Sequence, residues 1–344
     1  MRIEKCVGHK GGENMKKSIY IFSTGSLSRK DQTLCFETEE GKKYIPVEDT
    51  KEIYLFGEVD FNKRMLEFIS QKEIILHMYN FYGYYMGSFY PREHLNSGYM
   101  ILHQTEAYLN EEKRKEIASK FIEGAMENMT QVLKYYSNRG TDLKDIQVSL
   151  EELKNRLPEQ NTIEQMMAIE GNYRETYYQA FDKIIDNNHF LFEGRTRRPP
   201  LNRLNALISF GNSIIYTVAL SEIYKTHLDP RIGYLHTTNF RRFSLNLDLA
   251  EIFKPIIVDR AIFTLVGKKM IGPKDFEKKM DGIILNEKGR KVFLEEIERR
   301  LETTIKHKEL GRSVSYRTLI RMEAYKLQKH LIGEKEYKPF YSRW

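Results

Sequence analysis

The chain has 344 residues, 41% of them hydrophobic and 12% aromatic, with 55 Lys and Arg against 48 Asp and Glu. That length holds two domains with well-buried cores, and that composition excludes a disordered tail. The net charge of +7 is modest and dispersed, so it permits a nucleic-acid partner without demanding one.

Residues 1–14 lack the apolar core and small-residue cleavage site of a secretory signal, and read as a disordered leader, with order beginning only after Met15. From Ser18 to Tyr90 the pattern is short, aromatic and β-branched. Strands are predicted over 18–22, 33–38, 44–47, 52–56, 74–78 and 84–90. One helix interrupts them over 60–69, with Asp60 as its expected cap and apolar spacing at Phe61, Met65, Phe68 and Ile69. Pro91 to Gly98 breaks the pattern and marks a domain boundary.

Beyond the break the 3.6-residue period takes over. Helices are predicted over 99–137, 145–156, 163–189, 202–227, 246–267, 273–281, 287–309 and 314–332. The fold class is therefore α+β: an N-terminal β-rich domain over 15–95, then a larger all-α helical domain over 96–335, and a tail over 336–344. No apolar run reaches the roughly 18 residues of a membrane span, so no membrane partner is expected. Cys6 and Cys35 are too few for a disulfide framework or a zinc site, which fits a reducing, cytoplasmic location.

The segment from Gly233 to Arg260 concentrates the candidate chemistry. His236 stands twelve residues before Asp248, and Asp248 three before Glu251, which puts both carboxylates on one helical face. Two acids in so apolar a setting call for a cation, and oxygen ligands with one imidazole suit Mg²⁺ or Mn²⁺. Pro255 removes the bond to the carbonyl of Glu251, so the helix should bend there, either to aim the carboxylate or merely to fit the core. Glu170 sits at the edge of an apolar helix face, where a salt-bridged surface role competes with ligation.

Cations crowd the same stretches: Arg195, Arg197, Arg198, Arg203, Arg241, Arg242, Lys254 and Arg260. Guanidinium forks grip phosphate, which makes these candidate nucleic-acid contacts. Lys254 and Arg260 have a competing assignment as ion-pair partners of Asp248, Glu251 or Asp259. There is no P-loop, no His-Glu-x-x-His, no paired Cys-x-x-Cys and no Gly-x-Ser-x-Gly, which argues against NTP hydrolysis, zinc proteolysis and serine hydrolysis.

Four blocks together resemble a known family: Glu170-Gly171 in a Met-rich helix, Asn205-Ala-Leu-Ile-Ser-Phe-Gly211, Gly233-Tyr-Leu-His236, and Ser244 to Glu251 followed by Pro255-Ile-Ile-Val-Asp-Arg260. In order and spacing they are similar to the universal CRISPR-associated endonuclease and integrase that acquires new spacers. Ser18 to Leu27, Tyr44-Ile-Pro-Val47 and Phe56-Gly-Glu58 extend the likeness to the β domain. Asn172, Tyr173 and Asn212 depart from the family's usual residues. The resemblance implies Glu170, His236 and Glu251 as catalytic metal ligands, with Asp248 assisting in the same pocket. It also implies protospacer and CRISPR-repeat DNA as substrates, a homodimer joined through the β domain, and a small ferredoxin-like companion protein in a larger adaptation complex. The expected reaction is metal-dependent attack of a protospacer 3′-hydroxyl on a repeat phosphodiester. The rivals are a stand-alone structure-selective nuclease of DNA repair and a non-catalytic DNA-binding scaffold.

Overall fold

The computed structural model describes residues 3–5, 16–80, 82–91, 95, 97–236, 243–279, 282–307 and 310–343. The chain divides into two compact units, Met1–His94 and Leu95–Trp344.

The first unit is built on two sheets. Strands β1 (Ile3–Lys5), β2 (Lys17–Ile21), β6 (Thr50–Leu55), β8 (Ile75–Tyr79) and β9 (Tyr85–Phe89) form one in the order β1-β2-β6-β8-β9, with a parallel centre and antiparallel edges. Strands β3 (Gly25–Lys30), β4 (Thr33–Thr38), β5 (Gly41–Ile45) and β7 (Val59–Phe61) form the other in the order β5-β4-β3-β7. Period-two alternation sends Ile19, Ile21, Ile53, Leu55 and Leu76 to one face. There they share a core with Leu27, Leu34 and Phe36 of the second sheet and with Met65, Phe68 and Ile69 of α1 (Lys63–Gln71). The cap of α1 is Asn62, whose side chain accepts from the Met65 N–H at 3.0 Å, in place of the expected Asp60. Strand order also reaches into the expected leader, because Ile3–Lys5 pairs antiparallel with Ile19–Ile21.

The second unit is helical, with α2 (Gly98–Leu109), α3 (Glu111–Ser137), α4 (Lys144–Asn155), α5 (Ile163–Ile185), α6 (Arg203–Tyr224), α7 (Leu245–Lys254), α8 (Arg260–Gly267), α9 (Glu287–Glu302) and α10 (Tyr316–Leu331); the largely buried α6 packs against α7 and α10. Helix α6 is the one described helix long and apolar enough to cross a membrane. Because 78% of its most apolar window is buried inside the unit, its composition is that of a core helix.

Several predicted elements take another form. The run 99–137 splits at Asn110, which ends α2 in extended conformation and caps α3 by accepting from the Lys113 N–H at 3.0 Å. Of the helix expected over 273–281, the described residues 273–279 take another form: Pro273–Asp275 make one 3₁₀ turn, and β10 (Phe276–Lys279) pairs antiparallel with β11 (Gly282–Leu285). A second hairpin, β12 (Thr304–Lys306) with β13 (Ser313–Ser315), follows α9. The run 246–267 is interrupted by a π-helical segment at Pro255–Asp259, where proline was expected to bend it. The expected tail is packed rather than loose: Tyr337 is buried and donates to Glu323 Oε1 at 2.7 Å, and the Ser342 N–H donates to Asn128 Oδ1 at 2.8 Å.

Candidate active site

Helix α7 carries two of the candidate acids, and packing sends them to different partners. Asp248 is fully buried and faces the loop before it: its Oδ2 accepts from the backbone N–H of Tyr234 at 2.7 Å and of Leu235 at 3.1 Å. Its Oδ1 accepts from the His236 N–H at 3.0 Å and lies 2.7 Å from His236 Nδ1. Gly233 makes this closeness available, since a Cβ there would stand 2.9 Å from Asp248 Oδ2 and 2.7 Å from the Ser244 carbonyl carbon. Ser244 completes the clasp by accepting from the Gly233 N–H at 2.9 Å and donating to the Arg231 carbonyl at 2.8 Å.

The consequence is a fixed imidazole. An ionised carboxylate only accepts, so Nδ1 carries the hydrogen and Nε2 is left to take another partner. Burial works against the imidazolium, but the hydrogen bond and charge of Asp248, with Glu251 behind it, outweigh burial and hold His236 above its ordinary range. Asp248 was expected to assist as a fourth metal ligand, the third carboxylate of the set. Here its two oxygens accept from four N–H groups, an arrangement that orients His236.

Glu251 points the other way, into a cluster of cations. Lys254, one turn on, pairs with Oε1, and Arg174 Nη2 donates to Oε2 at 2.5 Å. Burial alone would push the Glu251 carboxyl up, yet Arg174, Lys254 and His236 together bring it down to about 2. The same guanidinium reaches Glu170 on its own helix, with Nε 2.7 Å and Nη2 2.6 Å from Oε1. Glu170 and Glu251 thus meet on one cation, although 81 residues separate them in the chain. Close approach of α6 supports this arrangement, since a Cβ on Gly211 would lie 2.4 Å from Val258 Cγ1 in the π segment.

Arg174 was not among the residues singled out in the sequence, though its i+4 spacing from Glu170 is the pattern of a helical ion pair. Asp259 was named only as a pairing partner. It is buried in the π segment, and desolvation pushes its carboxyl up to about 7 against the pull of Arg174.

The expected nucleic-acid residues divide by burial. Lys254 is spent internally, paired with Glu251 and seated 4.5 Å over the Tyr216 ring, so it is not a surface contact. Arg195 is also turned inward, donating to Asn205 Oδ1 at 2.9 Å and Ser209 Oγ at 3.0 Å. Asn205 in turn donates to the Gly194 carbonyl at 2.8 Å, which ties the 194–196 loop to α6. Arg197 and Arg198 are exposed on that loop, and Arg203 points at the His189 carbonyl, 3.5 Å away. Arg260 lies 5.2 Å over the Tyr135 ring. Arg241 and Arg242 lie outside the described residues.

A family profile described as CRISPR associated protein Cas1 matches residues 19–299 of this chain. The chain belongs to that family. A relative from Thermodesulfovibrio yellowstonii, named CRISPR-associated endonuclease Cas1 2, is 63% identical over 330 residues, spanning 96% of this chain and 100% of the relative. The CRISPR-associated endonuclease Cas1 of Thermotoga maritima is 52% identical over 318 residues, 92% of this chain and 98% of its own length. A solved Cas1 structure from Thermotoga maritima superposes with a TM-score of 0.85 at 50% identity, over 94% of this chain and 99% of that one. A β-rich N-terminal unit followed by a helical unit is the architecture shared with it. A casposase solved with its integration product has the same fold, with a TM-score of 0.83 at 21% identity over 95% of this chain and 94% of that one.

Proposed function

We propose that this chain is a metal-dependent DNA endonuclease and integrase of CRISPR adaptation, joining protospacer 3′-hydroxyl ends to the CRISPR repeat by transesterification. One observation carries the reading: two carboxylates remote in sequence converge on a single cation, beside an imidazole anchored through Nδ1. Relatives bearing the endonuclease name across their full length support the activity class.

The donor chemistry fits Mg²⁺ or Mn²⁺. Glu170 and Glu251 offer hard oxygens, His236 offers Nε2, and the half-buried Glu170 and buried Glu251 already have positive charge beside them. Among the described residues no three such side chains stand as a closed metal cage, so the ligands would have to draw in around the ion. The chemistry a bound divalent ion supplies is a lowered pKa for the attacking hydroxyl and stabilised charge on the phosphoryl and leaving oxygens.

The chain's own residues do the rest. Asp248 fixes the imidazole, Lys254 and Arg174 hold the Glu251 carboxylate ionised, and Arg197 and Arg198 present charge for DNA phosphates. In the transfer one P–O bond forms to the incoming 3′-oxygen and one breaks, leaving a new 3′-hydroxyl. The number of phosphodiesters is conserved, so no nucleotide need be hydrolysed. Water as the attacking group would give endonuclease activity at the same site.

The family reading adds a homodimer joined through the β-rich unit and a small ferredoxin-like companion protein. A Cas6-RT-Cas1–Cas2 complex contains the same fold, with a TM-score of 0.83 at 18% identity over 98% of this chain. The test is strand transfer of a labelled protospacer into a repeat, with Mg²⁺ or Mn²⁺, with and without the companion. Glu170→Ala and His236→Ala are expected to lower transfer by about 100-fold or more while circular dichroism stays that of the parent. Full transfer by either variant sinks the assignment, and cleavage of branched DNA that ignores the companion favours a repair nuclease.

A further inference from the structure

Arg174 is left without a part in the ligand set, yet it is the side chain that joins the two glutamates. Its guanidinium donates through Nε and Nη2 to Glu170 and through Nη2 to Glu251, while its buried Nη1 has no hydrogen-bond partner. These contacts use Glu170 Oε1 and Glu251 Oε2, oxygens of the two carboxylates assigned to the metal. A guanidinium at bonding distance takes up lone pairs on those oxygens and puts positive charge where a divalent ion would bring its own, so the two cations compete for the pair. Lys254, by contrast, holds only Glu251 Oε1 and approaches from the opposite end of the carboxylate.

We propose that Arg174 is the resident counter-cation of the Glu170–Glu251 pair, holding the two acids together before metal binds and setting metal affinity by competing for their oxygens. The proposal rests on the metal-dependent reading above and deepens it. It explains how two acids facing one pocket avoid repulsion in the metal-free chain: one guanidinium spans both, a geometry that a point charge such as a lysine ammonium spans poorly. It also predicts opposite effects on two quantities that a purely structural residue would move together. Removing the charge takes away the bridge, so the metal-free protein loses stability. It also removes the competitor, so the ion binds more tightly.

The experiment compares the full-length parent with Arg174→Met, Arg174→Lys and Glu251→Gln at pH 7.5. Mn²⁺ titration calorimetry gives the affinity, and thermal melts in EDTA and in Mn²⁺ give the stability. Arg174→Met is expected to melt lower than the parent in EDTA and to bind Mn²⁺ about tenfold more tightly, the scale of one charge-assisted hydrogen bond. The gain in melting temperature on adding Mn²⁺ should then exceed the parent's. Should Arg174→Met fail to fold, Arg174→Lys is expected to fold and to bind Mn²⁺ more tightly than the parent, by less than tenfold. Equal or weaker Mn²⁺ binding by the folded variants, with Glu251→Gln abolishing binding, overturns the competition while leaving the metal reading standing. A parent that binds no Mn²⁺ overturns both.

Discussion

Asp248 is buried at 0% exposure and is stabilised by the loop it organises. Four N–H groups converge on its two oxygens, three from consecutive backbone positions and one from His236. Asparagine is nearly isosteric but would turn an amide NH₂ toward some of those donors. Asp248→Asn is therefore expected to cost about 1–3 kcal/mol in urea unfolding and to weaken Mn²⁺ binding by about 10–100-fold through a misoriented imidazole. A sharper readout is the His236 titration followed by NMR. The carboxylate holds the imidazole above its ordinary range, so the variant should titrate lower, and an unchanged midpoint would remove Asp248 from the role given to it. This role was only half legible in the sequence. The i, i+3 spacing put Asp248 and Glu251 on one face, but only the packed structure shows that Asp248 turns its oxygens to N–H donors of the loop while Glu251 turns its own to Arg174 and Lys254.

At the scale of the element, the π segment Pro255–Asp259 joins α7 to α8 and places Asp259 in the interior. That the helix changes at Pro255 was readable in the sequence, because a proline nitrogen cannot close the bond to Glu251; its form, a π segment, was not. The neutral tendency of Asp259 was not readable, because it follows from desolvation. With its carboxyl pushed up to about 7, the folded chain keeps a proton that the unfolded chain has released, over the window from about pH 4 to about pH 7. Stability from this group is full below that window and falls as pH rises through it. Asp259→Asn removes the titration, so the melting temperature of the variant relative to the parent should rise by about 2 °C or more between pH 5 and pH 8. A constant offset across that range would mean that Asp259 titrates near its ordinary value. The other misreadings share a cause at this scale. Helical periodicity over 99–137 hid the cap at Asn110, and 273–281 has too few residues for period alone to separate a helix from a 3₁₀ turn plus strand.

For the whole molecule, the passage from aromatic and β-branched alternation to a 3.6-residue period did give a β-rich unit followed by a helical one. The convergence of Glu170 and Glu251 on Arg174, with His236 held by Asp248 on the same helix as Glu251, could not be had from periodicity, since it depends on how α5 and α7 pack; in the sequence only the resemblance joined Glu170 to His236 and Glu251. Packing also decides the fate of the last residues, which composition marks as a tail. Asn128 on α3 donates to the carbonyls of Ile252 on α7 at 2.8 Å and Phe340 at 3.0 Å, while its Oδ1 accepts from Ser342. Phe340 stacks on Phe253 of α7 at 5.6 Å, and Pro339 lies where a Cβ on Gly124 would be 2.8 Å away. Residues 337–342 therefore clamp α7, the helix that carries Asp248 and Glu251, against α3. Deleting 336–344 uncovers Phe253 and leaves Asn128 and Glu323 with unpaired polar atoms, so the truncated chain is expected to be destabilised by at least about 3 kcal/mol in chemical unfolding. If the proposed metal site holds, Mn²⁺ should restore part of that loss, because an ion held by Glu170 and Glu251 would tie α5 to α7. A truncation that melts with the parent would show that α7 is held without the C-terminal segment.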